Sequence, residues 1–324
     1  MSRIHALAAI VLVSFALAGG HAASQQPAPA ADEFRVTLLG AGSPAPVMRR
    51  FGPSVLVQAG GRTLLIDSGR GVTQRLFQLG VKLGAIDALF ITHLHSDHVV
   101  GIPDLWLTGW LDAAFAHRKG PFRVYGPAGS QGMMDGLAKA YDWDIKARIA
   151  DQNLDPANIR SEVTELRPGV AYDQGGVKVT AFEVDHGELL KPAFGFRIDY
   201  GGRSVSISGD TRFSENLIKH AAGSDLLIHQ VAAARPELLA LPSFKVILDH
   251  HTKPEEAGTV FSRVKPKLAV YYHFVLLGSP TAPPITEKEV VELTRKPYGG
   301  PLVVGEDLMA FRLDLDQVVQ LPAK

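Results

Sequence analysis

From Phe34 onward the chain advances in short apolar bursts separated by Gly and Pro. FRVTLLG, SVLVQAG, TLLIDSG and ALFITHLH are each rich in Val, Ile, Leu and Thr and bounded by turn residues, the pattern of β-strands. Gly60-Gly61 between the second and third predicts a tight hairpin. The period lengthens to that of a helix at residues 71–79 and 129–140. It does so again after Pro254, where Pro followed by Glu255 and Glu256 suits a helix N-terminus. The second half repeats the theme with GVKVTAFEV, FGFRIDYGGRSVSISGD and DLLIHQV, the middle pair joined at Gly201-Gly202. KLAVYYHF and PLVVGEDLMAFRL follow the helix. Meanders with interspersed helices predict sheets packed together and covered by helices, an α/β or α+β sandwich. No repeat of solenoid period is present, although each half runs from hairpins to a His or Asp at a strand end.

Before Phe34 the pattern is different. Residues 6–18 (ALAAIVLVSFALA) form an apolar run preceded by Arg3, and Gly20-His21-Ala22 offers a small-x-small cleavage site. The run is short for a membrane span. We therefore expect a signal peptide at 1–22, the alternative being an uncleaved anchor, with a disordered linker at 23–33 and one hydrolase domain at 34–324. That leader implies a periplasmic or secreted protein with no membrane span after cleavage.

The 324 residues carry 33 basic and 33 acidic side chains and no Cys. Disulfides and thiolate ligands are thus excluded, so any metal must be held by His and carboxylates. Zero net charge lacks the basic excess usual in nucleic-acid binders. No nucleic-acid partner is therefore expected, and a homodimer is left open.

One run stands out chemically. His93-Leu94-His95-Ser96-Asp97-His98 places three His and one Asp in six positions, just where the strand ALFIT ends. One turn can thereby supply ligands to two metals. His186 after VTAFEV, Asp210 after RSVSI and His273 after LAVYY are further ionisable groups at strand ends, where sites gather on sheet folds.

These residues make the chain resemble the metallo-β-lactamase superfamily, whose signature is HxHxDH followed by a His, an Asp and a His. The resemblance implies an αββα sandwich with metals at one edge of the two sheets. It also implies that His93, His95 and His186 hold one metal, Asp97, His98 and His273 the other, and that Asp210 bridges them. Asp67 in LLIDSG matches the motif whose Asp orients a ligand, although a turn-capping Asp has the same spacing. LLGAGSPAP, DSGRGVTQRL, HGELLKPAFGFRI and SGDT are similar to the ribonuclease Z-like and arylsulfatase-like branch. Class B β-lactamases lack the bridging Asp in this position. His251-Thr252 resembles the His-Ser/Thr pair of ribonuclease Z, with His250 beside it as the alternative.

Two departures point away from tRNA processing. Gln230 stands where ribonuclease Z has a Glu, which weakens any proton relay through His251. Residues 187–209 leave room for a strand pair but not for a long tRNA-gripping arm. The resulting expectation is two Zn²⁺ per chain, with Mn or Fe acceptable, and a bridging hydroxide that attacks small phosphodiester, phosphate-ester or aryl sulfate substrates. Asp97 is the expected proton acceptor and His251 the aid to the leaving oxygen. A lactonase, whose acyl pocket Trp106, Trp110, Phe115 and Phe122 could line, is the rival enzyme. A β-lactamase ranks below it, and a metal-binding sensor is the non-enzyme alternative. Residues 101–120 and 276–284 are expected to wall the cleft.

Overall fold

The computed structural model describes residue 30 and residues 32–322. The expected signal peptide and most of the linker lie outside the described residues.

The described chain builds one sheet, then a second, and then returns to the first. Six strands come first: β1 (Arg35–Gly40), β2 (Ser54–Ala59), β3 (Arg62–Ile66), β4 (Ala88–Phe90), β5 (Phe122–Gly126) and β6 (Ser161–Glu165). The second sheet takes β7 (Gly169–Gln174), β8 (Val177–Val184), β9 (Ala193–Tyr200), β10 (Arg203–Ile207), β11 (Leu226–Ala234), β12 (Leu268–Leu277) and β13 (Leu302–Val304). Finally β14 (Ala310–Leu313) and β15 (Val318–Gln320) close onto β1, giving the orders 15-14-1-2-3-4-5-6 and 13-12-11-10-9-8-7.

Each sheet begins as an antiparallel meander and continues as parallel strands joined by helical crossovers. The first sheet's crossovers are α1 (Val72–Gln78), α2 (Ser96–Val99), α3 (Ile102–Trp110), α4 (Ser130–Ala140) and α5 (Asp142–Gln152). The second sheet's are α6 (Glu215–Ala221), α7 (Pro242–Asp249), α8 (Pro254–Val264) and α9 (Glu287–Arg295).

Strand period decides the layers. Leu38, Val55, Val57, Leu64 and Ile66 point inward and meet Val179, Phe196, Val205, Ile207 and Ile228 of the other sheet. Their sequence neighbours Leu39, Leu56 and Leu65 face outward onto α1 and α3. On the opposite side Leu227, Ala269 and Tyr271 pack under α6, α8 and α9. The result is an αββα sandwich, two sheets face to face between two helical layers.

The run PLVVGEDLMAFRL divides between the layers: β13 belongs to the second sheet and β14 to the first. The break is set at Gly305, where a Cβ would lie 2.2 Å from the Tyr271 carbonyl oxygen. Strands β6 and β7 had no clear apolar signal because each is the edge of its sheet and carries mostly exposed or half-exposed residues.

Candidate active site

Four of the candidate residues come from the end of β4. Strand β4 ends at Phe90, and the chain then turns through His93 and His95 into the short α2, which carries Asp97 and His98 in its single turn. Asp67 fixes this turn. It sits just past β3 in the left-handed region (φ 58°), which Asp tolerates better than most residues. One of its carboxylate oxygens accepts the Thr92 amide at 2.8 Å, and the other lies 2.8 Å from His98 Nδ1. That contact leaves His98 Nε2 free to face the site. Thr92 Oγ1 is likewise 3.0 Å from His93 Nδ1. Of the two roles open to Asp67, orienting an imidazole is the one its contacts match.

The remaining candidates come from the second sheet and its helices, each from a different element. His186 follows β8, and its Nδ1 contacts the His250 carbonyl at 2.9 Å. Asp210 follows β10 through Gly209, whose φ of 59° and close approach to the Phe194 carbonyl (2.5 Å from a would-be Cβ) admit only glycine. His273 lies inside β12 as the extra residue of a β-bulge: Gln230 pairs with Tyr272 and Val231 with Phe274. Its left-handed φ of 47° turns its ring toward the site. His251 follows α7, with Nδ1 2.7 Å from the Ile247 carbonyl.

The seven ligand candidates meet at one point. Asp210 Oδ2 lies 3.9 Å from His93 Nε2, 3.5 Å from His98 Nε2, 3.9 Å from His186 Nε2 and 3.3 Å from His273 Nε2. On one side His95 Nδ1 is 3.0 Å from His93 Nε2 and 3.2 Å from His186 Nε2. On the other, Asp97 Oδ2 is 3.2 Å from His273 Nε2 and 3.7 Å from His98 Nε2. His93–His95–His186 and Asp97–His98–His273 are each close enough to hold one ion, with Asp210 between them.

The donor chemistry fits a metal centre. His98 Nε2 and Asp210 Oδ1 are buried and have no hydrogen-bond partner among the described residues, a costly state without a ligand. Burial, reinforced by neighbouring imidazoles, pushes His93 well down and His186 down to about 4, so both are neutral donors at physiological pH. Burial opposes ionisation of Asp210, yet the His273 and His98 rings outweigh it and hold its carboxyl well below the usual range. Asp97 is lowered in the same way, its bond to His273 overcoming burial. His98 differs: burial works against its charged form, but the Asp210 and Asp67 carboxylates raise it well above its ordinary value, so a divalent cation, which takes imidazole neutral, would bind there by displacing a proton.

Beside this cluster His251 and His250 separate cleanly. His251 Nε2 lies 3.3 Å from Asp210 Oδ2, whereas His250 contributes its carbonyl to His186 and lays its ring over Gly187. Among the described residues Gln230 makes no hydrogen bond to His251. Its amide donates to the Thr211 carbonyl at 2.6 Å, and the Ile247 carbonyl serves His251 instead.

The cleft has two lobes meeting at His95, His250 and His251. A lobe of about 570 Å³ is walled by Pro44, Ala45, Val47, Ile247 and the end of β12, with Arg50 at its side. The other, about 820 Å³, is more polar and includes Arg212 and Lys253. Leu276 and Leu277 line the first lobe as expected of the 276–284 segment, but residues 101–120 line neither. Trp106 and Trp110 are buried in the outer core and donate to the carbonyls of Ile159 and Asp155; Phe122 joins them and Phe115 packs on Phe77. The loop through residues 42–50 and helix α7 were missed as walls. The Gly and Pro of GSPAP were the available signal for a shaped loop.

A family model described as anti-Pycsar protein Apyc1 matches residues 34–240. The ribonuclease Z of Mycolicibacterium gilvum is 38% identical over 277 residues, covering 84% of this chain and 94% of that protein. That of Mycobacterium marinum is 36% identical, over 84% and 96%. Among solved structures, a metallo-β-lactamase fold protein of Bacillus subtilis superposes with a TM-score of 0.68 at 17% identity, over 87% of this chain and all of that one. The short form of human tRNase Z does so at 0.62 and 24%, over 85% and 98%.

These relatives correct two expectations. The absence of a nucleic-acid partner is overturned, because the relatives that match most of this chain are named for cleaving RNA. Net charge misled because it averages over the whole surface and says nothing of how the few groups at a cleft are arranged. Nor is a short 187–209 segment foreign to proteins of that name, given near-complete mutual coverage. The periplasmic or secreted placement is also withdrawn. Relatives named for RNA and tRNA cleavage do not point to an exported enzyme. No described helix is long and apolar enough to cross a membrane.

Proposed function

Because the chain belongs to the ribonuclease Z-like branch of the metallo-β-lactamase superfamily and to the anti-Pycsar protein Apyc1 family, we propose that it is a two-zinc phosphodiesterase acting on RNA. Hydrolase chemistry and metal binding come with that membership; zinc, the count of two and the scissile bond are the proposal, as is a single domain over 34–324. The observation that carries it is Asp210, one carboxylate oxygen set within 4 Å of Nε2 atoms from both His sets.

In this reading His93, His95 and His186 hold one ion, Asp97, His98 and His273 the other, and Asp210 spans them. Bound cations supply Lewis acidity and make water acidic enough to act as a nucleophile near neutral pH. The protein's own groups do the rest. Asp67 and Thr92 fix the ring orientation of His98 and His93. Asp97, at the cleft surface of the cluster, accepts the proton of the attacking water. His251, its Nδ1 committed to the Ile247 carbonyl, offers Nε2 to the departing oxygen. The two lobes receive the chain on either side of the scissile phosphate.

The test is a panel of single-stranded RNA, pre-tRNA, bis(p-nitrophenyl) phosphate, an aryl sulfate, an acyl-homoserine lactone and a β-lactam, before and after chelation. Phosphodiester cleavage that disappears on chelation and returns with Zn²⁺ is expected. Turnover of the lactone or the aryl sulfate without any phosphodiester cleavage would overturn the reading.

A further inference from the structure

We infer that Gln230 is a positioning residue, which holds Asp210 between the two His sets by clamping the carbonyl of Thr211. The inference rests on the two-metal reading above.

The second sheet delivers its site residues from separate turns, so something must keep those turns in register. Thr211 links them. Its carbonyl accepts from Gln230 Nε2 at 2.6 Å and from Thr252 Oγ1 at 2.7 Å. Its hydroxyl accepts the Asp185 amide at 3.2 Å. Each partner on a neighbouring turn adjoins a site residue: Asp185 precedes His186, Thr252 follows His251, and Thr211 itself follows Asp210. Gln230 anchors this brace to the sheet, since its backbone amide donates to Ser208 Oγ at 3.2 Å at the start of the same turn. Gln230, Thr211 and Thr252 are all fully buried, so no water replaces a lost donor.

The chemistry requires an amide here. A carbonyl oxygen needs donors, and Gln supplies two N–H groups, whereas an ionised Glu presents only acceptors. A Glu at 230 would set a buried charge against the Thr211 carbonyl. The Gln in place of the expected Glu is therefore a different wiring of the site. His251 is served by a backbone carbonyl, and the side chain at 230 is released to hold Asp210.

The experiment is calorimetric titration of ZnCl₂ into the chelated full-length protein and into Gln230→Glu, Gln230→Met, Thr252→Val and Thr252→Ser. The unfolding midpoint of each metal-free form is recorded alongside, with kcat and KM for bis(p-nitrophenyl) phosphate. Both Gln230 variants are expected to bind zinc at least about tenfold more weakly, the usual scale for removing a group that orients a ligand. Their kcat should fall while KM moves by less than about twofold. Thr252→Val should show a smaller loss and Thr252→Ser, which keeps the hydroxyl, should behave as wild type. Unchanged zinc affinity in Gln230→Met would overturn the inference. So would a loss of affinity that merely tracks a lowered unfolding midpoint of the metal-free protein. If Gln230→Glu fails to fold, Gln230→Met, which adds no charge, decides alone. A wild-type protein that takes up no zinc would instead sink the two-metal reading.

Discussion

The two sheets furnish their halves of the site in opposite ways. The first contributes four residues, His93, His95, Asp97 and His98, from one turn after β4, steadied by the single carboxylate of Asp67. The second contributes His186, Asp210, His251 and His273 from four separate places, the ends of β8, β10 and α7 and the bulge inside β12, tied together in part through Thr211. One half is wired locally and the other by tertiary packing. A local half tolerates strain elsewhere in the fold, because its geometry travels with its own turn. A distributed half holds only while several strands keep their register.

The harshest way to break this contrast is to remove what both halves share. Chelation should abolish phosphodiester cleavage completely, with recovery on adding Zn²⁺; full activity in metal-free protein would end the reading. Asp210→Ala comes next, because it leaves the imidazoles of both halves facing one another without their carboxylate. Losing one partner of a buried charge cluster costs about 3–5 kcal/mol. That is a loss of folding stability; turnover should fall by at least the roughly ten- to hundredfold seen when a ligand's supporting group is removed. Metal analysis by plasma emission and kcat together check it, and a variant that keeps two ions and wild-type turnover would contradict the bridge.

Asp67→Asn strikes the local half alone. Asn accepts the left-handed conformation seen at φ 58°, so the backbone is kept while the carboxylate facing His98 Nδ1 is lost. Zinc affinity should fall by about ten- to a hundredfold, and more at one ion than at the other, because the hydrogen bonds of the Asp67 carboxylate go to His98 and Thr92. An equal loss at both ions would show that the halves are not separately wired.

The same division explains what the sequence could disclose. His93, His95, Asp97 and His98 were legible because six consecutive positions carry the whole signal, and the alternating strands around them have a period of two. His186, Asp210 and His273 could be found only as ionisable strand ends, and their meeting depends on which strands pair. The bulge that turns His273 inward leaves no mark in LAVYYHF. Gln230 was noticed for the charge it lacks, while its actual partner, the Thr211 carbonyl, belongs to a turn 19 residues away. The walls were misplaced for a related reason. Trp106, Trp110 and Phe122 fall close after the metal run in sequence, yet α3 carries both Trp rings outward into the layer beneath it, and Phe122 faces the same way. Helix α7, which does wall the cleft, is short, and few of its apolar residues are buried.

The mildest test lies inside the run itself. Leu94 sits between two proposed ligands, but alternation turns it away from the cluster. It is 37% exposed and rests against the N-terminal turn of α4 near Gly129. If the turn after β4 is locally wired by backbone geometry and Asp67, trimming this side chain removes a partly exposed surface contact and nothing more. Leu94→Ala should therefore change stability by no more than about 0.5 kcal/mol, a midpoint shift of roughly 2 °C or less in a domain of this size. Zinc content and kcat should match the wild type. A loss of zinc in Leu94→Ala, with the midpoint unmoved, would mean that packing on α4 helps to aim His93 and His95. The first half of the site would then be as dependent on tertiary support as the second.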